Sequence, residues 1–178
     1  MPPSGPGSAT GGATPPQPEP PSGAGSRGPN HPDTKDTLDL SGLDYENAPL
    51  NLKLRYFELR RINLGNLPIA SAILLRSVLE ATIKVHFEGS ATPATGELSA
   101  VFKVVAQTYG SEKTLKSTIG AIQSGNAHKH GSIQWFNLIA HSADASVTAE
   151  DVRQAWKVVN PLLRRLLRPP LQSAPATP

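Results

Sequence analysis

From Leu67 to Phe87 the chain reads LPIASAILLRSVLEATIKVHF, its longest apolar run, broken only by Arg76, Glu80 and Lys84. These three charges are four residues apart and form one row on a helix. The other positions leave apolar surface nearly all the way round. A helix of that kind is buried among other helices. At about 1.5 Å per residue it would be on the order of 30 Å long, the width of a small domain. Asn66 can cap its start, and Pro68 suits its first turn. The run therefore predicts the central rod of an all-α bundle. Its length is also close to that of a membrane span. Three charges in one row, two of them mid-span, make a lipid setting costly, so no membrane partner is expected.

Around this rod the apolar periodicity and the punctuation place further helices. Leu50, Leu52, Leu54, Phe57, Leu59, Ile62 and Leu64 approximate a stripe that ends at Gly65-Asn66. Residues 97–109 put Leu98, Val101, Phe102, Val105 and Tyr109 on one face. Residues 112–123 are a weaker helix carrying Leu115, Ile119 and Ile122. After the polar loop SGNAHKHG, residues 132–141 return to an apolar pattern through Ile133, Trp135, Phe136, Leu138 and Ile139. Thr148 with Asp151 three residues on marks the start of a last helix. That helix runs to about Arg168, with Pro161 expected to kink it and Pro169-Pro170 to stop it. Val152, Trp156, Val159, Leu163 and Leu166 share one side of it. Arg153, Lys157, Arg164 and Arg168 share another. No stretch alternates like a strand. The expectation is a bundle of five or six helices joined by short connections.

The ends are different in kind. Residues 1–36 are Pro, Gly, Ser, Ala and Thr with hardly an aliphatic side chain. Such a segment buries too little apolar surface to offset its ordering entropy. Residues 1–43 are read as a disordered tail or linker, residues 44–168 as the bundle, and residues 169–178 as a second disordered tail. Pro15 to Pro21 could form a polyproline II ligand, although a plain linker accounts for it as well. Leu38, Leu40 and Leu43 could tack the tail to the body.

Charge divides along the same line. Residues 1–49 hold two basic and six acidic side chains, a net of −4. Residues 50–178 hold 15 basic and 8 acidic, a net of +7, which completes the +3 of the whole chain. A basic body under an acidic tail is compatible with polyanion binding and equally with ordinary solubilising charge. There is no cysteine, which excludes disulfides, thiol catalysis and thiolate zinc sites. That composition and the missing secretion-signal pattern fit a reducing, cytoplasmic setting.

Histidine is the main candidate for chemistry. His31 falls in the tail. His86 ends the apolar run, where the helix dipole favours a cation. His128 and His130 share a loop without a third metal ligand nearby in sequence, so no metal is expected. His141 follows Asn137 by four residues, placing both on one helical face. An Asn amide beside a neutral imidazole can hold one tautomer ready for proton transfer. A local hydrogen bond at a helix end explains the pair equally well.

The LLRSVLE run from Leu74 to Glu80, FNLIAH from Phe136 to His141, and the closing DVRQAW with NPLLRRLL resemble the HEPN superfamily over roughly residues 51–168. The resemblance implies an all-helical bundle, commonly dimeric, of the kind found in toxin–antitoxin and other RNA-targeting defence systems and also appended to other domains. Active HEPN ribonucleases carry an Arg, four to six residues, then a His, often as Arg-Asn-x-x-x-His. Asn137 and His141 match the last two elements, while Phe136 occupies the Arg position, and no other His has an Arg at the required spacing. A missing donor of this type removes about 3–4 kcal/mol of transition-state stabilisation. Arg76 and Glu80 of the central helix could lie near His141, within the bundle or across a dimer interface, with Arg76 replacing the missing cation, or the two could simply pair with each other.

The sequence thus points first to a HEPN-like module associated with RNA through Arg153, Lys157, Arg164, Arg165 and Arg168. The alternatives are a non-catalytic helical dimerisation or protein-interaction module and, less favoured, a metal-independent endoribonuclease centred on Asn137 and His141. A homodimer or a partner protein is expected, and no small-molecule cofactor is implied.

Overall fold

A computed structural model describes Met1 and residues 35–168. Its described residues form six helices and no strand: α1 (Leu50–Arg61), α2 (Pro68–His86), α3 (Leu98–Tyr109), α4 (Lys113–Ile122), α5 (Ile133–His141) and α6 (Ala149–Leu166). The helix boundaries fall within a few residues of those expected from periodicity. None of these helices is long and apolar enough to cross a membrane. The expected tails at 2–34 and 169–178, with His31 and the proline-rich stretch, lie outside the described residues.

The central rod is α2, which packs against α1, α3, α5 and α6, while α4 sits on α6 and α3. Its inward face is Ser71, Ala72, Leu75, Val78, Leu79, Thr82 and Ile83, all buried. It is not buried all round, as its composition suggested. Leu67, Ile69 and Ile73 are 53%, 46% and 45% exposed. Apolar composition shows what a face tolerates, not whether a neighbour reaches it, and no described element covers the first two turns on that side. The charged row forms as spaced: Glu80 takes Lys84 at 2.7 Å and Arg76 at 3.8 Å.

Local signals mark the starts of three of the six described helices. Pro68 occupies the first turn of α2. Asn66 does not cap that helix; the Asn63 side chain instead accepts the Asn66 amide at 2.8 Å, closing the turn before it. Ser132 caps α5 by accepting from the Trp135 amide at 3.0 Å. Thr148 and Asp151 form the expected reciprocal capping box on α6, which Pro161 does not end.

α1 buries Leu52, Tyr56 and Leu59, one helical face, rather than the stripe read from sequence; Leu50 and Leu54 lie exposed. The Thr82 hydroxyl donates to the Val78 carbonyl at 2.7 Å. Tyr56 must therefore donate its own proton to Thr82 across 2.8 Å. Burial pushes the Tyr56 phenol well above its ordinary range.

Residues 35–49, without regular structure before α1, form a strap across this assembly. Leu38, Leu40, Leu43 and Tyr45 are buried in the same core as the helices. Tyr45 stacks on Tyr56 with ring centroids 4.7 Å apart. The Asp36 carbonyl accepts the Leu64 amide at 2.7 Å. The three leucines do tack this segment to the body, and the packed part begins before residue 44.

Candidate functional site

The ribonuclease-type candidates fall on two helices that pack together, Arg76 and Glu80 on α2, Asn137 and His141 on α5. Phe136 is 1% exposed and meets Trp135 edge-on with centroids 5.1 Å apart. The position where the motif needs Arg is therefore a core position. Asn137 is half-buried, and His141, the last residue of α5, is exposed. Neither makes a side-chain hydrogen bond among the described residues, and no hydrogen bond or ion pair there joins His141 to Arg76 or Glu80. Arg76 and Glu80 pair with each other on α2, the structural alternative left open by the sequence. The Arg76 Nε is buried without a partner.

Three of the basic candidates have internal duties. Arg153 donates to the Lys35 carbonyl at 2.7 Å and approaches Glu150 at 3.5 Å. Arg164 donates to the Ser41 carbonyl at 2.6 Å, the Gly42 carbonyl at 3.1 Å and Asn160 at 3.0 Å. Both arginines grip the main chain of the strap. Arg165 meets Glu112 at 3.4 Å and lies over the Tyr109 ring at 4.6 Å. Lys157 and Arg168 are exposed. The basic stripe was legible, but the carbonyls that Arg153 and Arg164 hold lie more than a hundred residues away and carry no signal in composition.

The strap's own charge suits this arrangement. Hydrogen bonds from Ser41 hold the Asp39 carboxyl below the usual carboxylate range, and Lys35 and Arg164 add to the effect.

A second polar cluster joins the ends of α2, α3 and α6. The His86 Nδ1 lies 2.7 Å from the Leu166 carbonyl and its Nε2 lies 2.6 Å from the Tyr109 hydroxyl. A carbonyl only accepts, so Nδ1 carries the proton, and in the neutral ring Nε2 accepts from Tyr109. Burial lowers the His86 pKa, opposed by the Leu166 bond and assisted by Arg165. The helix-end cation expected at His86 is thus disfavoured, because desolvation outweighs the Leu166 bond. Burial raises the Tyr109 phenol while Arg165 lowers it. Open clefts of about 400 and 430 Å³ flank His86. Sequence spacing could not reveal this cluster, whose members lie on three separate helices.

His130 approaches Asp151 at 3.2 Å and meets the Trp135 ring edge-on. This contact pins the SGNAHKHG loop to the start of α6. Gly131 permits it: its φ is +78°, and a Cβ there would crowd the Ala155 backbone at 3.0 Å. Among the described residues no group of three or more His, Cys, Asp or Glu is arranged to hold a metal ion.

The outward chemistry is therefore limited. One face of α2 is apolar and open, and the polar clusters fasten elements of the bundle to each other. Comparison with protein-family models, with curated proteins and with solved structures finds no match for this chain.

Proposed function

We propose that this chain is a non-catalytic helical interaction module, a HEPN-like bundle that serves as a docking platform for protein. The observation that carries this reading is the open apolar face of Leu67, Ile69 and Ile73 on the helix that organises the core. Large aliphatic side chains clustered on a rigid element are suited to being covered by another chain. Two further features support it. Phe136 belongs to the core, so the ribonuclease motif has no cation from its own helix. Arg153 and Arg164 spend their donors on the strap rather than presenting them to phosphate.

The test is light scattering on the full chain beside Ile69→Asp/Ile73→Asp, with a labelled structured RNA assayed at low and moderate salt. The expected result is association of the wild type that the double variant loses, and intact RNA throughout. Cleavage that disappears in His141→Ala would overturn the reading in favour of an endoribonuclease. Salt-steep RNA binding, unaffected by the double variant, would favour the RNA-associated module instead.

A further inference from the structure

The strap lies against α6 as a bound peptide would. Its main chain is held by side chains of the receiving helix: Arg153 on the Lys35 carbonyl, Arg164 on the Ser41 and Gly42 carbonyls. Leu38, Leu40 and Leu43 enter the core. Asp39 of the strap lines a cleft with Arg153, Lys157 and Arg164 of that helix, and Arg164 helps hold its carboxyl below the usual range. Grip through carbonyls is indifferent to side-chain identity, so the leucine spacing and the acidic charge supply the selectivity. The fit is also incomplete: a cleft of about 220 Å³ remains between Thr37, Leu38 and Asp39 on the strap and Trp156, Lys157 and Asn160 on α6.

We propose that this groove on α6 is a recognition site for an extended, acidic, leucine-bearing segment of a partner protein, and that the strap is the chain's own competing occupant. A second copy's strap is the weaker candidate. It would make the same contacts, while the resident strap has the advantage of an effective concentration on the order of millimolar. A different protein can exceed the strap by filling the space left beside Leu38. This surface is separate from the α2 face, and the proposal stands whether or not that face docks.

The probe is a synthetic peptide of residues 35–48, titrated by fluorescence anisotropy into the full chain and into full-length Leu38→Ser/Leu40→Ser, whose strap is weakened. The variant binds at least tenfold tighter than the wild type. Adding Arg164→Ala to it lowers affinity by about tenfold, as expected for loss of a charge-assisted grip. A peptide carrying Leu38→Trp binds better than the native peptide, and Ile69→Asp changes none of these affinities. A folded, cooperatively melting variant that fails to bind either peptide at millimolar concentration overturns the proposal. Hydrogen exchange on the wild-type chain gives a test independent of the variant's folding. The Leu43 amide, bonded to the Leu40 carbonyl at 3.2 Å, should exchange faster than the amides of α2. Equal protection at both places would mean that the strap opens only on global unfolding, and would also overturn it.

Discussion

Arg164 and Gly42 are in close contact, with the guanidinium bonded to the glycine carbonyl at 3.1 Å and filling the space where a Cβ would stand. Gly42 also has a φ of +75°, a region that costs an L-residue roughly 1–2 kcal/mol. Gly42→Ala is therefore expected to destabilise the chain by about 2–3 kcal/mol, combining that strain with displacement of the guanidinium. In an Arg164→Ala background the steric part disappears. Urea unfolding of the four proteins of this cycle should show a smaller cost of Gly42→Ala in that background, and equal costs would refute the contact.

The Tyr56–Thr82 bond predicts an asymmetry. Tyr56→Phe removes a donor and leaves the Thr82 hydroxyl bonded to Val78, at a cost of about 1 kcal/mol. Thr82→Val keeps the volume but strands a buried phenol, at a cost of about 1–3 kcal/mol. Thermal melts should rank Thr82→Val below Tyr56→Phe, and the reverse order would mean that the proton runs the other way.

His86 makes stability depend on pH. Its folded pKa lies below the ordinary value of 6.5, so the unfolded chain binds the proton more readily. The contribution is fully present above about pH 6.5 and is lost as pH falls through that value toward the lower folded pKa. His86→Gln should flatten the decline in urea stability between neutral and mildly acidic pH relative to wild type. An unchanged slope would place the titrating group elsewhere.

Two neighbouring positions on α2 should behave oppositely. Ile73 is 45% exposed and Leu75 fully buried. Ile73→Glu should change stability by about 0.5 kcal/mol or less, whereas Leu75→Ala should cost about 2–5 kcal/mol. Chemical denaturation of both variants checks which face of the rod is open.

Restoring the ribonuclease motif on α5 should fail. Phe136→Arg completes Arg-Asn-x-x-x-His in sequence but removes a ring from the core and buries a charge without a partner. Loss of the ring alone is worth about 3–5 kcal/mol, and the charge adds to that. The expected outcome is loss of the cooperative melt. A folded variant that cleaves RNA would show that this end of α5 can rearrange.

Much of the fold was legible because its helices have distinct punctuation. Leu98, Val101, Phe102, Val105 and Tyr109 follow one helical face, and Thr148 with Asp151 marks a start by local hydrogen bonding alone. What stayed hidden depends on neighbours. The open side of Ile69 and Ile73 follows from where the other helices end. The neutral state favoured for His86 follows from burial beside Leu166 and Tyr109. Asn137 and His141 share a helix face as expected, but only the packing shows that position 136 belongs to the core.

The arginine contacts of the strap span 118 to 123 residues of sequence. Such closures carry the largest chain-entropy cost in the fold. On a ribosome the strap would emerge before all six described helices, yet its receiving helix would be made after the other five, so the strap's leucines would wait longest for their place. Until then Leu38, Leu40 and Leu43 would be open to chaperones.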